Sequence, residues 1–399
     1  MAVEAPAVDG DVADQIVETV ARWVDNEVIP NASRFELADE FPHEMVEQMK
    51  AFGLFGCVIP VEYGGLGLDH LTYARLIEEI SRGFMSLGGV LNSHLIVSTM
   101  IVRFGTDAQR QQWLPDLATG AKRACFSLSE HDAGSDTRSM RCRAVPDGND
   151  YVINGTKMWV TNGERAAIVG LMAKTPDASS AGEGVTCFIV DKEPGATWNP
   201  STGGRVTTSK IEKLGYRGLE TVEMNWEDVR IPAENMLGDQ AGIGRGLNAA
   251  LSALELGRIN IAARAVGVAR AAFEAAMDYA QRRETFGKPI YDHQVIAFKL
   301  ADMATKLEAA RLMCHSAARK FDEGIRADME AGMAKLFCSE VAAEIALESM
   351  RIHGGNGYTS EYPVERYYRD VPLMIIGEGT SEIQKLVIAR QLRDKYRVD

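Results

Sequence analysis

Residues 247–283, LNAALSALELGRINIAARAVGVARAAFEAAMDYAQRR, contain no proline, and their only glycines are Gly257 and Gly267. A stretch of that length without a strong breaker predicts one long helix. Three more long helical patterns follow, at 292–321, 328–352 and 381–396. Residues 237–399 are therefore expected to pack as a four-helix bundle. Upstream, between 122 and 236, the character changes. Tyr151-Val152-Ile153, Lys157-Met158-Trp159-Val160 and GVTCFIV (184–190) are rich in β-branched and aromatic residues. Pro146-Asp147-Gly148-Asn149 and Asn154-Gly155 read as hairpin turns between them. A compact, barrel-like domain of short antiparallel strands is expected here. Residues 1–121 are mostly helical again, as in YARLIEEI (73–80), with breaks at Ile59-Pro60 and the glycines of 64–67. The fold class is mainly α with a central β domain, in three parts: 1–121, 122–236 and 237–399.

A chain of 399 residues is too long for one small core. Its net charge of −13 disfavours nucleic acid and anionic membranes as partners, because both need a basic face. Any phosphate-rich ligand must then be held by local features that oppose the global field. No run approaches the roughly 20 uninterrupted apolar residues of a membrane span. The first ten residues, MAVEAPAVDG, carry two acids and no Lys or Arg, unlike a secretory or mitochondrial leader, so the cytoplasm is the expected location. The six cysteines form no C-x-x-C pair and the seven histidines do not cluster. Reduced buried thiols are expected, with no disulfide framework and no metal site.

Neither a G-x-x-x-x-G-K-[ST] loop nor a strand-linked G-x-G-x-x-G occurs, which argues against a nicotinamide enzyme on a doubly wound sheet. Other turns remain. Ser127-Leu128-Ser129-Glu130 leads into AGSDT (133–137), a turn whose N–H groups and hydroxyls suit flavin carbonyls or a phosphate. It reads equally as an Asx/Ser turn linking helix to sheet. Gly354-Gly355-Asn356-Gly357 is an anion-binding nest or a helix C-cap. Trp159 stacks on a flavin beside Thr161 or sits in the core. Glu378, in IGEGTSE (376–382), follows an apolar strip and precedes a helix that Thr380 or Ser381 caps. Partial desolvation on such a turn raises a carboxyl pKa and strengthens it as a base. The competing role is support of the helix N-terminus.

Five motifs stand in order: ACFSLSEHDAGSD (124–136), KMWVTNG (157–163), ETFGKPIYDHQVIAFKLADMA (284–304), RIHGGNGYTSEYPVERYYRD (351–370) and IGEGTSEIQKLVIAR (376–390). Together they resemble the acyl-CoA dehydrogenases over residues 11–395. The resemblance implies a homotetramer with FAD between the β domain and the bundle. Phe126, Leu128, Ser129, Gly134 and Ser135, with Trp159 and Thr161, would face the isoalloxazine ring. Arg283, Thr285, Phe286 and Gln294 would reach the ADP half from a neighbouring subunit, joined by Arg351, Gly354 and Gly355. Thr380 and Glu382 would complete the site. CoA would pass Ser135, Gly379 and the 255–258 segment, where Arg258 offers a local positive charge. Glu255 is expected to face CoA or solvent.

Two positions depart from the family pattern. Gln is usual where Arg351 stands, and Tyr is common where Gly377 stands. Gly377 leaves room beside a thioester and tolerates positive φ. A subset of the family carries its base on the bundle helix, just before the Arg that matches Arg258. That position is Gly257 here, which leaves Glu378 as the base. The implied reaction is α,β-dehydrogenation of an acyl-CoA to the trans-2-enoyl-CoA, with electron transfer flavoprotein as acceptor. Its rivals are an acyl-CoA oxidase or flavin monooxygenase on the same scaffold, and a non-catalytic CoA-binding subunit.

Overall fold

The computed structural model describes residues 9–177, 182–324 and 327–397; the leader expectation therefore rests mostly on residues outside this range. Six helices come first: α1 (Gly10–Trp23), α2 (Ile29–Ala38), α3 (His43–Ala51), α4 (His70–Gly83), α5 (Met85–Phe104) and α6 (Asp107–Ala118). Asp69 starts α4 by accepting from the Thr72 N–H at 2.6 Å. Tyr73, Leu76, Ile77 and Ile80 then form its buried stripe. Helix α5 is apolar and long enough to cross a membrane by length and composition, yet Met85 through Ile101 are all buried inside the protein. It is a core helix that reaches both the helical layers and the sheet.

The central domain comprises β1 (Ala124–Ser127), β2 (Arg143–Asp147), β3 (Asp150–Thr161), β4 (Ile168–Asp177), β5 (Gly182–Asp191), β6 (Thr197–Trp198), β7 (Arg205–Lys210) and β8 (Thr221–Pro232). The sheet order is β1-β4-β2-β3-β8-β7-β6, with β5 on the far side of β4. The all-antiparallel expectation needs correction, because β4 pairs in parallel with both β1 and β2. The 146–149 turn does join β2 to β3. Asn154-Gly155 does not form a hairpin. It lies within β3 at a register shift against β8, and Gly155 has φ 148. A Cβ at Gly155 would stand 2.6 Å from Cys142 Cα, so close strand approach explains this glycine.

The C-terminal part holds α7 (Gly246–Arg282), a small β9 (Glu284–Thr285) and β10 (Lys288–Pro289) hairpin, α8 (Gln294–Asp322), α9 (Asp328–His353), α10 (Val364–Ile376) and α11 (Ser381–Lys395). Helix α7 is the spine, packed on α9, α4, α5 and α8. Its buried alanines, among them Ala250, Ala253, Ala262, Ala269 and Ala276, let neighbouring backbones approach closely. The bundle has a fifth helix, α10. The apolar strip at 373–376 is its last turn, and Pro372 inside it masks the helical pattern. All six cysteines are buried and free.

Candidate active site

Helix α10 ends at Ile376, and Gly377 is extended, with φ −67 and ψ 152. The positive φ that Gly377 would tolerate is not used there; it falls on Glu378 (φ 54) and again on Gly379 (φ 88). A left-handed conformation at a residue with a Cβ costs about 1–2 kcal/mol, so its surroundings must hold it. They do. Lys335 on α9 donates to the Ile375 carbonyl at 2.9 Å and the Gly379 carbonyl at 2.8 Å. Gln384 Nε2 donates to the carbonyls of Glu378 and Gly379 at 3.2 and 3.1 Å. Thr380 caps α11 by accepting from the Ile383 N–H at 3.4 Å.

This clamp places the Glu378 carboxyl in the interior against α5 and α7. Asn92 Nδ2, from α5, donates to Oε1. The other oxygen, Oε2, is buried without a hydrogen-bond partner. Gly257 on α7 makes the space. A Cβ there would overlap Oε2, lie 2.8 Å from the carboxyl carbon and come within 3.1 Å of Ile96. Burial raises the Glu378 pKa, while Arg264, Asn92, Lys335 and Arg258 oppose the rise. Burial also pushes the Lys335 ammonium down to about 8. A carboxylate with one oxygen fixed and the other free, in a dry setting, is built to take a proton.

A second group lies on β1, β3 and the loop between β1 and β2. Trp159 sits at the β3–β8 register shift between Lys157 and Val160, with φ 62, and its side chain is 58% exposed. The bulge keeps the indole out of the core. Behind it, fully buried Lys157 donates to the Leu128 carbonyl at 2.9 Å and to Glu130 Oε1 at 2.8 Å. Glu130 accepts also from the Arg141 and Cys142 N–H groups at 2.5 and 2.9 Å. Burial works to raise the Glu130 carboxyl, but Lys157 and these N–H groups hold it below its ordinary value. Met158 N–H donates to the Ser129 carbonyl at 2.8 Å, which ties the 128–130 loop to β3. Phe126 is half-buried, Ser127 Oγ is buried without a partner, and Gly134 and Ser135 are exposed, with open space where a Gly134 Cβ would stand. Thr161 is half-buried and interacts with the Tyr216 hydroxyl. An open aromatic face beside unpartnered polar groups fits a planar, hydrogen-bonding ring such as a flavin.

The remaining expected residues lie elsewhere. Arg283 caps α7, and Thr285 Oγ1 meets His293 Nε2 at 3.2 Å beside Gln294, the first residue of α8. Phe286 sits at the hairpin tip, 96% exposed. Among the described residues, this hairpin shares no hydrogen bond or ring contact with β1 or β3. Arg351 is exposed and ion-paired with Glu348 at the end of α9. Gly354 (φ 62) caps the C-terminus of α9, one of the two roles read for this turn, and with Gly355 it opens a short 3-10 turn. Glu382 is exposed in the first turn of α11, its carboxyl held low by the N-terminal backbone and Thr380.

Two expectations about α7 change. Glu255 does not face solvent: it is buried, and burial with the negative charge of Asp328 pushes its carboxyl up to about 7. Arg258 is buried too, and its Nη1 is 3.3 Å from Asp328 Oδ1. Five residues of the site were not anticipated: Asn92, Tyr216, Arg264, Lys335 and Gln384. Their only signal was polarity inside otherwise apolar helical runs, for Asn92 and Arg264.

The acyl-CoA dehydrogenase N-terminal, middle and C-terminal domain families match residues 11–121, 125–229 and 244–393. An acyl-CoA dehydrogenase of Bacillus subtilis is 41% identical over 368 residues, covering 92% of this chain and 94% of that protein. The human mitochondrial short-chain specific acyl-CoA dehydrogenase is 40% identical over 384 residues, covering 96% and 90%. The structure of butyryl-CoA dehydrogenase from Megasphaera elsdenii superposes with a TM-score of 0.89 at 34% identity, covering 96% of this chain and 98% of that one. With all three domains matched in order, and with a buried carboxylate and an open aromatic face to carry the chemistry, the chain belongs to the acyl-CoA dehydrogenase family.

Proposed function

We propose that this chain binds FAD and oxidises an acyl-CoA thioester to its trans-2-enoyl-CoA, with Glu378 as the base. The observation that carries this reading is the Glu378 carboxyl itself: buried, raised in pKa, pinned at Oε1 by Asn92 and free at Oε2. Phe126, Leu128, Ser129, Trp159 and Thr161 would hold the flavin, whose chemistry is to accept a hydride. Oε2 takes the α-proton. Asn92 keeps the carboxyl in one orientation while the proton moves. The Glu378 backbone N–H would donate to the thioester oxygen, where charge develops. Gly257 and Ile96 keep the carboxyl close-packed and exclude water from its far side.

The same reading assigns the electrons to electron transfer flavoprotein, the assembly to a homotetramer and the location to the cytoplasm. An apolar ring as exposed as Phe286, next to Arg283, supports a neighbouring subunit at that hairpin. Purified protein should be yellow and bleach anaerobically on addition of acyl-CoA, and Glu378→Gln should retain the colour but not bleach. Fast reoxidation of the bleached protein by air would instead indicate an oxidase.

A further inference from the structure

We propose that Arg264 recognises a carboxylate carried by the acyl group, so that the substrate is a short dicarboxylyl-CoA rather than a plain fatty acyl-CoA; this rests on the dehydrogenase reading above. Arg264 is 2% exposed. Its Nε and Nη1 have no hydrogen-bond partner, the Tyr216 hydroxyl bonds to the rest of the guanidinium, and among the described residues no carboxylate forms an ion pair with it. Its guanidinium meets the Tyr216 ring at 5.5 Å to the centroid. The Glu378 carboxyl supplies an opposite charge nearby, but it does not occupy Nε or Nη1, and buried donors left open are costly unless a ligand fills them.

The position fits the base. Arg264 follows Gly257 by seven residues on α7, which is two helical turns, so both project from one face. That separation is roughly 10 Å along the axis, and helical side chains lean back towards the N-terminus, here towards Gly257 and Glu378. The positive charge of Arg264 accordingly opposes the rise that burial imposes on the Glu378 pKa. Room for it comes from α5: a Cβ at Gly88 would stand 3.0 Å from Arg264 Cδ, and one at Gly89 would overlap the Tyr216 hydroxyl. The same Gly88 position is 2.7 Å from Ser81 Oγ, another buried atom without a partner. A hydrocarbon chain satisfies none of these donors. A carboxylate two to three carbons beyond the thioester satisfies the guanidinium and the hydroxyl, and it offsets the field that weakens Glu378 as a base. The bonds broken and formed in the oxidation are unchanged.

The test compares kcat/KM for succinyl-CoA against butyryl-CoA and glutaryl-CoA against valeryl-CoA, in wild type and in Arg264→Gln and Arg264→Lys. Wild type should favour the carboxylated member of a pair at least tenfold, and Arg264→Gln should reverse that ratio, with whatever change in absolute rate follows from losing the positive charge beside Glu378 shared by both members of the pair. Arg264→Lys should keep part of the preference. Monomethyl-succinyl-CoA, tested on wild type, needs no variant and should behave like butyryl-CoA. Dissociation constants for succinyl-CoA and butyryl-CoA in the Glu378→Gln holoenzyme should show the same preference without turnover. A wild type that favours the plain acyl-CoAs while bleaching normally overturns the proposal and leaves the dehydrogenase reading intact. Equal losses on all substrates in Arg264→Gln, with the acid limb of the pH profile moved up, would make Arg264 a tuning charge for Glu378 and also overturn it. Failure of every CoA thioester to bleach the flavin overturns the underlying reading, and the proposal with it.

Discussion

Lys157 and Arg264 are both cations buried in this protein, yet their surroundings differ in kind. Lys157 is matched: a carbonyl and a carboxylate take its protons, and Glu130 is in turn satisfied by two backbone N–H groups. Around Arg264 and Glu378 the matching is incomplete, with Arg264 Nε and Nη1, Glu378 Oε2 and Asn92 Oδ1 all buried and unpartnered. The first arrangement is complete within the folded chain. The second becomes complete only with a ligand in place. Burial of charge alone therefore does not separate these two cations; the unfilled hydrogen-bonding capacity gathered around Arg264 and Glu378 does.

The sharpest way to break that contrast is Glu378→Gln, which should lower kcat by about 100- to 10,000-fold, the span of a lost general base, with FAD retained. Its stability should move the other way. Burial raises the Glu378 pKa, so its ionisation weakens the fold as pH rises through that value. The Gln variant should melt above wild type at pH 8, and the gap should close below the ordinary carboxylate pKa. Lys157→Met tests the satisfied side. It strands Glu130 in the interior and should cost about 3–5 kcal/mol in denaturant unfolding, while the kcat/KM ratio between substrates stays as in wild type. A marked change in that ratio would place Lys157 in the site rather than behind it. Gly257→Ala comes next. The atom it displaces is the mobile end of a side chain, so melting temperature should shift little while kcat falls roughly tenfold, the effect of a misplaced reacting group. Asn92→Ala is the mildest. Its hydrogen bond favours the ionised carboxylate, so without it the acid limb of the kcat/KM–pH profile should move to higher pH; a limb that stays put or moves down contradicts that role.

Long uninterrupted patterns made the helices of the bundle legible, because α7, α8, α9 and α11 have no proline within them. Helix α10 was hidden by Pro372, whose ring it accommodates in its last two turns. The parallel pairing of β4 was not visible, since strand pattern fixes which face is buried but not which neighbour lies alongside. Glu378 stood out from its flanking glycines and the helix start after it. The left-handed turn, however, falls on Glu378 rather than on Gly377, a matter of clamping by Lys335 and Gln384 from α9 and α11. The orientation of Trp159 depends on a bulge against β8, and the burial of Glu255 on its packing near Asp328. Such long-range juxtapositions leave no local trace.

The contact between Gly257 and Glu378 also bears on how such an enzyme could change over generations. A carboxylate at position 257 and one at position 378 compete for the same few cubic ångströms. A side chain at 257 cannot join the resident carboxyl without moving it, because even a methyl group there overlaps the resident oxygen. A change that adds a base on the helix therefore disturbs the one on the turn at the same step, so the two positions trade against each other.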